Sequence, residues 1–125
     1  METNELSDKI IGAAIRVHKE LGPGLLESIY EEAICLELED LKLNYDKQLK
    51  IPLYYKNRQL KNHFRLDLLV ENEIIIEIKS VEQILDVHHA QLLSYLRLTH
   101  KKVGLLLNFN TALMKNGLKR IVNNY

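Results

Sequence analysis

Three charged residues lie in two hydrophobic segments, where charged side chains are rare. Asp67, Glu77 and Lys79 belong to the stretch FRLDLLVENEIIIEIKS, residues 64–80. Alternate side chains share one face of a strand, so Glu77 and Lys79 point to the same side and the isoleucines between them to the other. We expect this stretch to form a β-hairpin that carries an active site.

The pairing of the two strands decides whether the acids meet. Asp67 and Glu77 share a face only if paired residue numbers have an even sum, for example 144, because a slip of one residue reverses the face. This register leaves residues 71–73 as the turn. Strict alternation also places Leu66 and Leu68 together, on the face away from Asp67.

Facing carboxylates repel each other unless a positive charge lies between them. Asp67 and Glu77 are hard oxygen ligands suited to Mg²⁺ or Mn²⁺, and the main-chain carbonyl of Ile78 is a further candidate ligand. A bound metal would activate water against a phosphodiester. Lys79 would orient that water or neutralise the transition state.

Each of these residues also has a purely structural interpretation. An acid-x-Lys pattern in a strand is common, and Asp67 could form a cross-strand ion pair with Arg65 or Lys79. The single cysteine, Cys35, has no partner for a disulfide or a thiolate metal site, and we expect it to pack as a small apolar residue.

The composition indicates one globular domain, residues 1–125, with 46% hydrophobic and 27% charged residues. No apolar run is long enough to span a bilayer, and the polar N-terminus does not resemble a secretory signal. We therefore expect a cytoplasmic protein without a membrane partner.

The net charge of zero hides an uneven distribution. Residues 41–65 contain seven basic side chains and one acidic, and residues 97–125 contain six basic and none acidic. These segments are either ordinary solvated faces or, if the fold brings both to one rim, a surface that attracts phosphates.

Periodicity and turn residues predict the order α, α, β, β, β, α, β, α. A mixed sheet flanked by helices follows, with a helical crossover between the third and fourth strands. The predicted helices are residues 6–21, 25–41, 88–100 and 113–122, and the predicted strands are residues 45–55, 60–70, 74–80 and 103–109.

Two helices offer polar side chains to the hairpin. Glu27 lies three residues before Tyr30 and four before Glu31, which places it at the edge of the sheet-facing side; a carboxylate in a first helical turn also suits the helix dipole. Gln91 and Tyr95 share a face of the third helix. His88 lies on the same stripe and is interpreted as a substrate-facing or supporting group, and His89 as a surface residue.

The combination of Asp67, Glu77, Lys79, Gln91, Tyr95 and Glu27 resembles the core of the PD-(D/E)xK nuclease superfamily. The segment GLLESIY, with Gly24, Glu27 and Tyr30, resembles the pattern that names the GxxExxY protein family, and later blocks resemble that family over nearly the whole chain. His89 departs from the acidic residue expected there.

The resemblance implies a restriction-endonuclease-like α-β-β-β-α-β core of the α/β (α+β) class. It implies a metal site of Asp67, Glu77, Ile78 and Glu27, with Lys79, Gln91 and Tyr95 completing the catalytic set. The expected function is Mg²⁺- or Mn²⁺-dependent hydrolysis of DNA, or else RNA. The alternative is a non-catalytic module that binds nucleic acid or protein. A homodimer or a protein partner would supply affinity that a small neutral chain lacks.

Overall fold

The computed structural model describes residues 1–124. These residues form three helices and five strands in the order α, α, β, β, β, α, β, β, with one 3₁₀ turn, Met114–Asn116, before the last strand. Their bounds are α1 Thr3–Leu21, α2 Glu27–Asp40, β1 Tyr45–Tyr55, β2 Arg58–Val70, β3 Ile74–Lys79, α3 Asp86–Thr99, β4 Val103–Asn108 and β5 Leu118–Val122.

The strands form one mixed sheet in the order β1-β2-β3-β4-β5. Within residues 1–124, β3 and β4 are the one parallel pair, joined through α3, and the other neighbours are antiparallel. Helices α1 and α2 pack in the larger core cluster on one face, and α3 packs in the smaller cluster on the other. The prediction of a mixed sheet flanked by helices is confirmed.

The C-terminal segment differs from the prediction. Residues 113–122 form the 3₁₀ turn and strand β5 rather than a helix. Leu118 pairs with Leu107 and Ile121 with Gly104. The spacing of the apolar residues suits a helix, but β5 completes the hydrogen bonding of β4, which is buried along its whole length.

The hairpin of β2 and β3 has the even register. Leu68 pairs with Ile76 and Val70 with Ile74, so paired numbers sum to 144, and residues 71–73 form the turn. Continued by one residue, this register sets Asp67 opposite Glu77.

Strict alternation along β2 is nevertheless wrong. Leu66 packs in the cluster under α3, whereas Leu68 packs in the cluster under α1 and α2. Two side chains of equal parity therefore lie on opposite faces of the sheet. The break falls at the residue between them, Asp67.

In the neighbouring strand β1, the alternation of side chains is interrupted at the residue opposite Asp67. Lys47 pairs with Leu68 and Leu49 with Leu66, so Gln48 lies opposite Asp67. Gln48 has a φ of 51°, in the left-handed region that is unusual for a residue with a side chain. Such irregularities redirect side chains and are frequent beside functional sites. At Gln48 and Asp67, the side chains of β1 and β2 therefore switch to the opposite faces of the sheet.

Among the described helices, none combines the length and apolar character that crossing a bilayer requires.

Candidate active site

Two carboxylates fill the gap where β2 and β3 separate. Asp67 Oδ2 accepts a hydrogen bond from the backbone N–H of Ile78 at 2.8 Å, and Glu77 Oε2 accepts one from the backbone N–H of Asp67 at 2.9 Å. Side chains thus replace the backbone ladder one residue beyond the Leu68–Ile76 pair. The two acids meet, as the even register requires.

The backbone of Ile78 also faces this gap. Its N–H points to Asp67 on β2, whereas the neighbouring Lys79 carbonyl points the other way and accepts from Phe109 N at 2.9 Å. The N–H and C=O of one strand residue point in the same direction. The Ile78 carbonyl is therefore directed to the side of the carboxylates.

Glu77 is a buried acid, with only 5% of its surface exposed. Its pKa is raised from 4.5 to about 8, mainly by burial and then by the charges of Asp67 and Glu27, while the hydrogen bond from Asp67 N and the charge of Lys79 act in the opposite direction. A buried carboxylate beside other acids is unfavourable as an anion. A cation at this point would restore its ordinary acidity.

Helix α2 contributes Glu27 from its first residue. Glu27 Oε1 accepts from the backbone N–H of Ser80 at 3.2 Å, just after β3 ends. The Ser80 hydroxyl donates back to the carbonyl of Leu25 at 2.7 Å. These bonds fasten the start of α2 to the end of the strand that carries Glu77.

The loop before α2 explains the spacing of Gly24, Glu27 and Tyr30. Gly24 has a φ of 97°, a conformation that favours glycine. Tyr30 is fully buried; its hydroxyl donates to Gly22 O at 2.5 Å and accepts from Leu25 N at 3.1 Å. Tyr30 therefore holds the turn that positions Glu27.

The segment after β3 is fixed by a buried amide. Asn108 Oδ1 accepts from Val81 N at 3.1 Å, and Asn108 Nδ2 donates to Val81 O at 2.9 Å. The same oxygen accepts from Asn110 N at 3.2 Å. Asn108 thus anchors the residue next to Ser80, which contacts Glu27.

Two residues that were not predicted from the sequence, Glu31 and Gln48, also belong to the site. Gln48 Nε2 donates to both carboxylate oxygens of Glu31 at 3.1 Å and to Asp67 Oδ1 at 3.3 Å. The pKa of Glu31 is raised by burial, with a contribution from Asp67. Glu31 follows Glu27 by one helical turn, so the i, i+4 spacing was the available signal.

Lys79 is half-buried and lies close enough to lower the pKa of Glu77. Within residues 1–124, one ion pair lies within 4.0 Å, between Arg16 and Glu37. The ion pairs considered for Asp67, with Arg65 or Lys79, are therefore not formed. The Lys79 ammonium is not committed to a carboxylate.

Helix α3 contributes Tyr95. Its ring stacks on Phe64 with centroids 4.3 Å apart and an interplanar angle of 2°. The pKa of Tyr95 is raised by burial and then by the charges of Glu77 and Asp67. The negative charges of both carboxylates therefore act on the Tyr95 phenol, which stays protonated at neutral pH.

The other polar residues of α3 are less involved. Gln91 is exposed, and its side chain makes no hydrogen bond to residues 1–124. His88 Nδ1 accepts from Leu85 N at 3.0 Å and caps the helix. This bond occupies one ring nitrogen of His88, which the sequence analysis interpreted as a substrate-facing or supporting group. His89 is exposed, as expected.

The carboxylate and carbonyl oxygens of this site are the type of ligand that hard divalent cations prefer. Glu27 and Glu77 each keep one carboxylate oxygen without a hydrogen bond to the described residues, and the Ile78 carbonyl faces the same gap. No cluster of three or more His, Cys, Asp or Glu side chains in residues 1–124 is already arranged to hold a metal. Binding would therefore draw the acids together.

Comparison with protein families identifies the class. The model of the PD-(D/E)XK nuclease superfamily matches residues 4–121, nearly the entire chain. The chain belongs to this superfamily.

A solved structure has a similar fold. The crystal structure of SSO0001 superposes with a TM-score of 0.51 at 18% identity, covering 97% of this chain and 79% of the other. At this identity the similarity concerns the fold alone. No curated protein matches significantly.

Proposed function

We propose that this chain is a Mg²⁺- or Mn²⁺-dependent nuclease that hydrolyses phosphodiester bonds of DNA or RNA. Membership of the nuclease superfamily supports this class of reaction. The main structural support is the pair of the half-buried Asp67 and the buried Glu77, which lie side by side between two separating strands, with the pKa of Glu77 raised to about 8. A cation would stabilise acids in this arrangement.

Asp67, Glu77, the Ile78 carbonyl and Glu27 would hold the metal. A bound Mg²⁺ or Mn²⁺ supplies positive charge to a phosphoryl oxygen and promotes ionisation of water. Glu27 is held by Ser80, and Asp67 by Ile78 and Gln48, so these acids are already oriented. Oriented ligands lose less entropy when the cation binds.

Lys79 and Tyr95 would act on the substrate. The Lys79 ammonium has no ion pair in the described residues and would stabilise negative charge on the phosphate in the transition state. The protonated Tyr95 phenol would donate a hydrogen bond beside the carboxylates. Gln91 is exposed on the same helix and would contact the substrate backbone.

We further propose that residues 1–125 form one nuclease-like domain of the GxxExxY type, acting in the cytoplasm. The linked roles of Gly24, Glu27 and Tyr30 support the family assignment, because the turn, the acid and its anchor form one unit. A homodimer or a partner protein would add affinity for nucleic acid.

One observation favours the alternative of a non-catalytic binding module. Asp67, Glu77 and Glu27 each accept a backbone hydrogen bond, so the fold satisfies them in part without metal. In that case the protein binds nucleic acid or a protein partner without turnover.

Cleavage assays separate the two functions. Purified protein is incubated with Mg²⁺ or Mn²⁺ and labelled single- and double-stranded DNA and RNA. Asp67→Asn and Lys79→Met are compared with Asp46→Asn and Lys115→Met, which change exposed residues of the same types. We expect metal-dependent cleavage in the wild type and both controls, and a loss of at least about 100-fold in the site variants. Cleavage that survives Asp67→Asn, or no cleavage with any metal, would exclude the proposed activity.

A further inference from the structure

Two cations face each other directly on the hairpin of β1 and β2. Lys50 pairs with Arg65, and both side chains are exposed. Like charges in directly opposite positions of an antiparallel pair are destabilising. Neither residue has a carboxylate within 4.0 Å among residues 1–124, where the Arg16–Glu37 pair is the one ion pair. An anion from outside the chain would relieve this repulsion.

His63 belongs to the same group. It pairs with Pro52, the next position along this face of the hairpin. Its pKa is lowered by desolvation and by the charges of Lys50 and Arg65. Pairing and electrostatics therefore agree that Lys50, His63 and Arg65 lie together; we call these three residues the cationic face.

The break in alternation determines where the cationic face points. Ile51 and Phe64, which alternate with its members, pack against the α3 cluster. The cationic face consequently lies on the other side of the sheet, the side of α2. Without the reversal at Gln48 and Asp67, Lys50 would point to the α3 side instead.

The cationic face is adjacent to the site along both strands. Arg65 precedes Asp67 by two residues, and Lys50 follows Gln48 by two, a distance of about 7 Å along a strand. Between residues 47 and 66 the hairpin contains six Lys and Arg side chains and no acid. The acidic ligand Asp67 thus follows a stretch of the hairpin that contains basic and no acidic side chains. Glu77 and Lys79 on β3 alternate with isoleucines of the α1–α2 cluster and point to the α3 side, so the cationic face adjoins the site through Asp67 and Gln48.

The second basic segment lies elsewhere. Lys119 and Arg120 are exposed on β5, at the opposite edge of the sheet from β1. Of the two alternatives left open for the basic segments, the shared rim is therefore not formed at these residues. They provide a control with the same charge and a different location.

We propose that the cationic face of Lys50, His63 and Arg65 binds the sugar–phosphate backbone of a nucleic acid next to the phosphate held at Asp67 and Glu77. The inference rests on the proposed function for the kind of substrate. Backbone contacts set position and not sequence, so this surface binds nucleic acid with little sequence preference. It determines which phosphate reaches the carboxylates.

The test measures binding without turnover. Fluorescence anisotropy with a short labelled DNA duplex, and with its single strand, is recorded over a range of NaCl concentrations in Mg²⁺. Asp67→Asn serves as the parent in which cleavage is blocked. Lys50→Gln/Arg65→Gln is then compared with Lys119→Gln/Arg120→Gln, and thermal melting checks that each variant is folded.

We expect Lys50→Gln/Arg65→Gln to weaken binding by about 10-fold or more at low salt. It should also reduce the slope of log K against log salt by about two, the value for two lost phosphate contacts. Lys119→Gln/Arg120→Gln should change affinity by less than about twofold. Equal losses in both double variants, or no binding by the parent, would overturn the inference.

Failure of this inference is distinguishable from failure of the proposed function. If the wild type cleaves with metal but Lys50→Gln/Arg65→Gln keeps its affinity, the nuclease stands and the cationic face is refuted. If binding depends on Lys50 and Arg65 but no metal supports cleavage, the cationic face stands and the nuclease is refuted.

Discussion

Asp67 and Glu77 join β2 to β3 through their side chains at the place where the backbone ladder stops. Glu77 accepts from the backbone N–H of Asp67, and Asp67 accepts from the backbone N–H of Ile78. The carboxylates therefore hold the strands at a fixed separation while lying side by side. Structure and charge are coupled at this point, so a change in either acid alters both stability and chemistry.

The raised pKa of Glu77 predicts a pH-dependent stability in the absence of metal. Its folded pKa is about 8, above the ordinary value of 4.5, so the folded state binds more protons between these pH values. Stability therefore falls as pH rises from about 4.5 to about 8. Glu77→Gln removes this dependence and should melt at least about 4 °C above the wild type at pH 8 in EDTA.

Thermal melts of the wild type and Glu77→Gln at pH 5 and pH 8 test this prediction. The difference should shrink towards pH 5, where Glu77 is protonated in the folded state. Asp46→Asn, which changes an exposed acid of the same sheet, is the control. A wild type as stable as Glu77→Gln at pH 8 would contradict the burial argument.

Tyr30→Phe should destabilise the loop before α2. The substitution removes the hydroxyl that bonds Gly22 O and Leu25 N, at a cost of about 1–3 kcal/mol. Chemical denaturation measures the free energy of unfolding. Tyr54→Phe, at an exposed position, should leave it unchanged within about 0.5 kcal/mol.

Gln48 combines an unusual backbone conformation with a bridge between two acids. Glycine accepts the φ of 51° but removes the amide, so Gln48→Gly should fold and lose about 10–100-fold in metal affinity or activity. Gln48→Val should in addition lose about 1–2 kcal/mol of stability, because a β-branched residue disfavours this conformation. Metal titrations and denaturation curves separate the effects. Full metal affinity in Gln48→Gly would show that the bridge is dispensable.

Two glycine substitutions should have opposite effects. A Cβ at Gly117 would lie 2.0 Å from the carbonyl oxygen of Asn108, so Gly117→Ala should destabilise by about 2–3 kcal/mol or more and disturb the Asn108–Val81 contact. Gly12 lies inside α1, where a Cβ meets only Arg16 Nη1 at 3.5 Å. Gly12→Ala should gain about 0.5–1 kcal/mol. Denaturation curves for both variants provide the comparison.

The sequence predicted the hairpin well because local signals agree there. The alternation of residues 74–79 and the polar turn at residues 71–73 set the register that brings Asp67 to Glu77. The spacing around Glu27 placed this residue at the edge of the sheet-facing side of α2, and in the structure it accepts a hydrogen bond from Ser80, just after β3.

Other features depend on contacts that are distant in sequence. Gln48 has a left-handed backbone conformation, which sequence patterns indicate only at glycine or asparagine. The switch of the β1 and β2 side chains to the opposite faces of the sheet could therefore not be predicted. Strand β5 forms because β4 needs an antiparallel neighbour, although its apolar spacing favours a helix. Glu31 joins the site only through Gln48 from the opposite element.

The central claim, a divalent cation between Asp67 and Glu77, is tested most directly by anomalous diffraction from crystals soaked in Mn²⁺. We predict an anomalous peak within bonding distance of both carboxylates and the Ile78 carbonyl, and its loss in Asp67→Asn. No peak at this position in the wild type, at a Mn²⁺ concentration that labels other sites, would contradict the account.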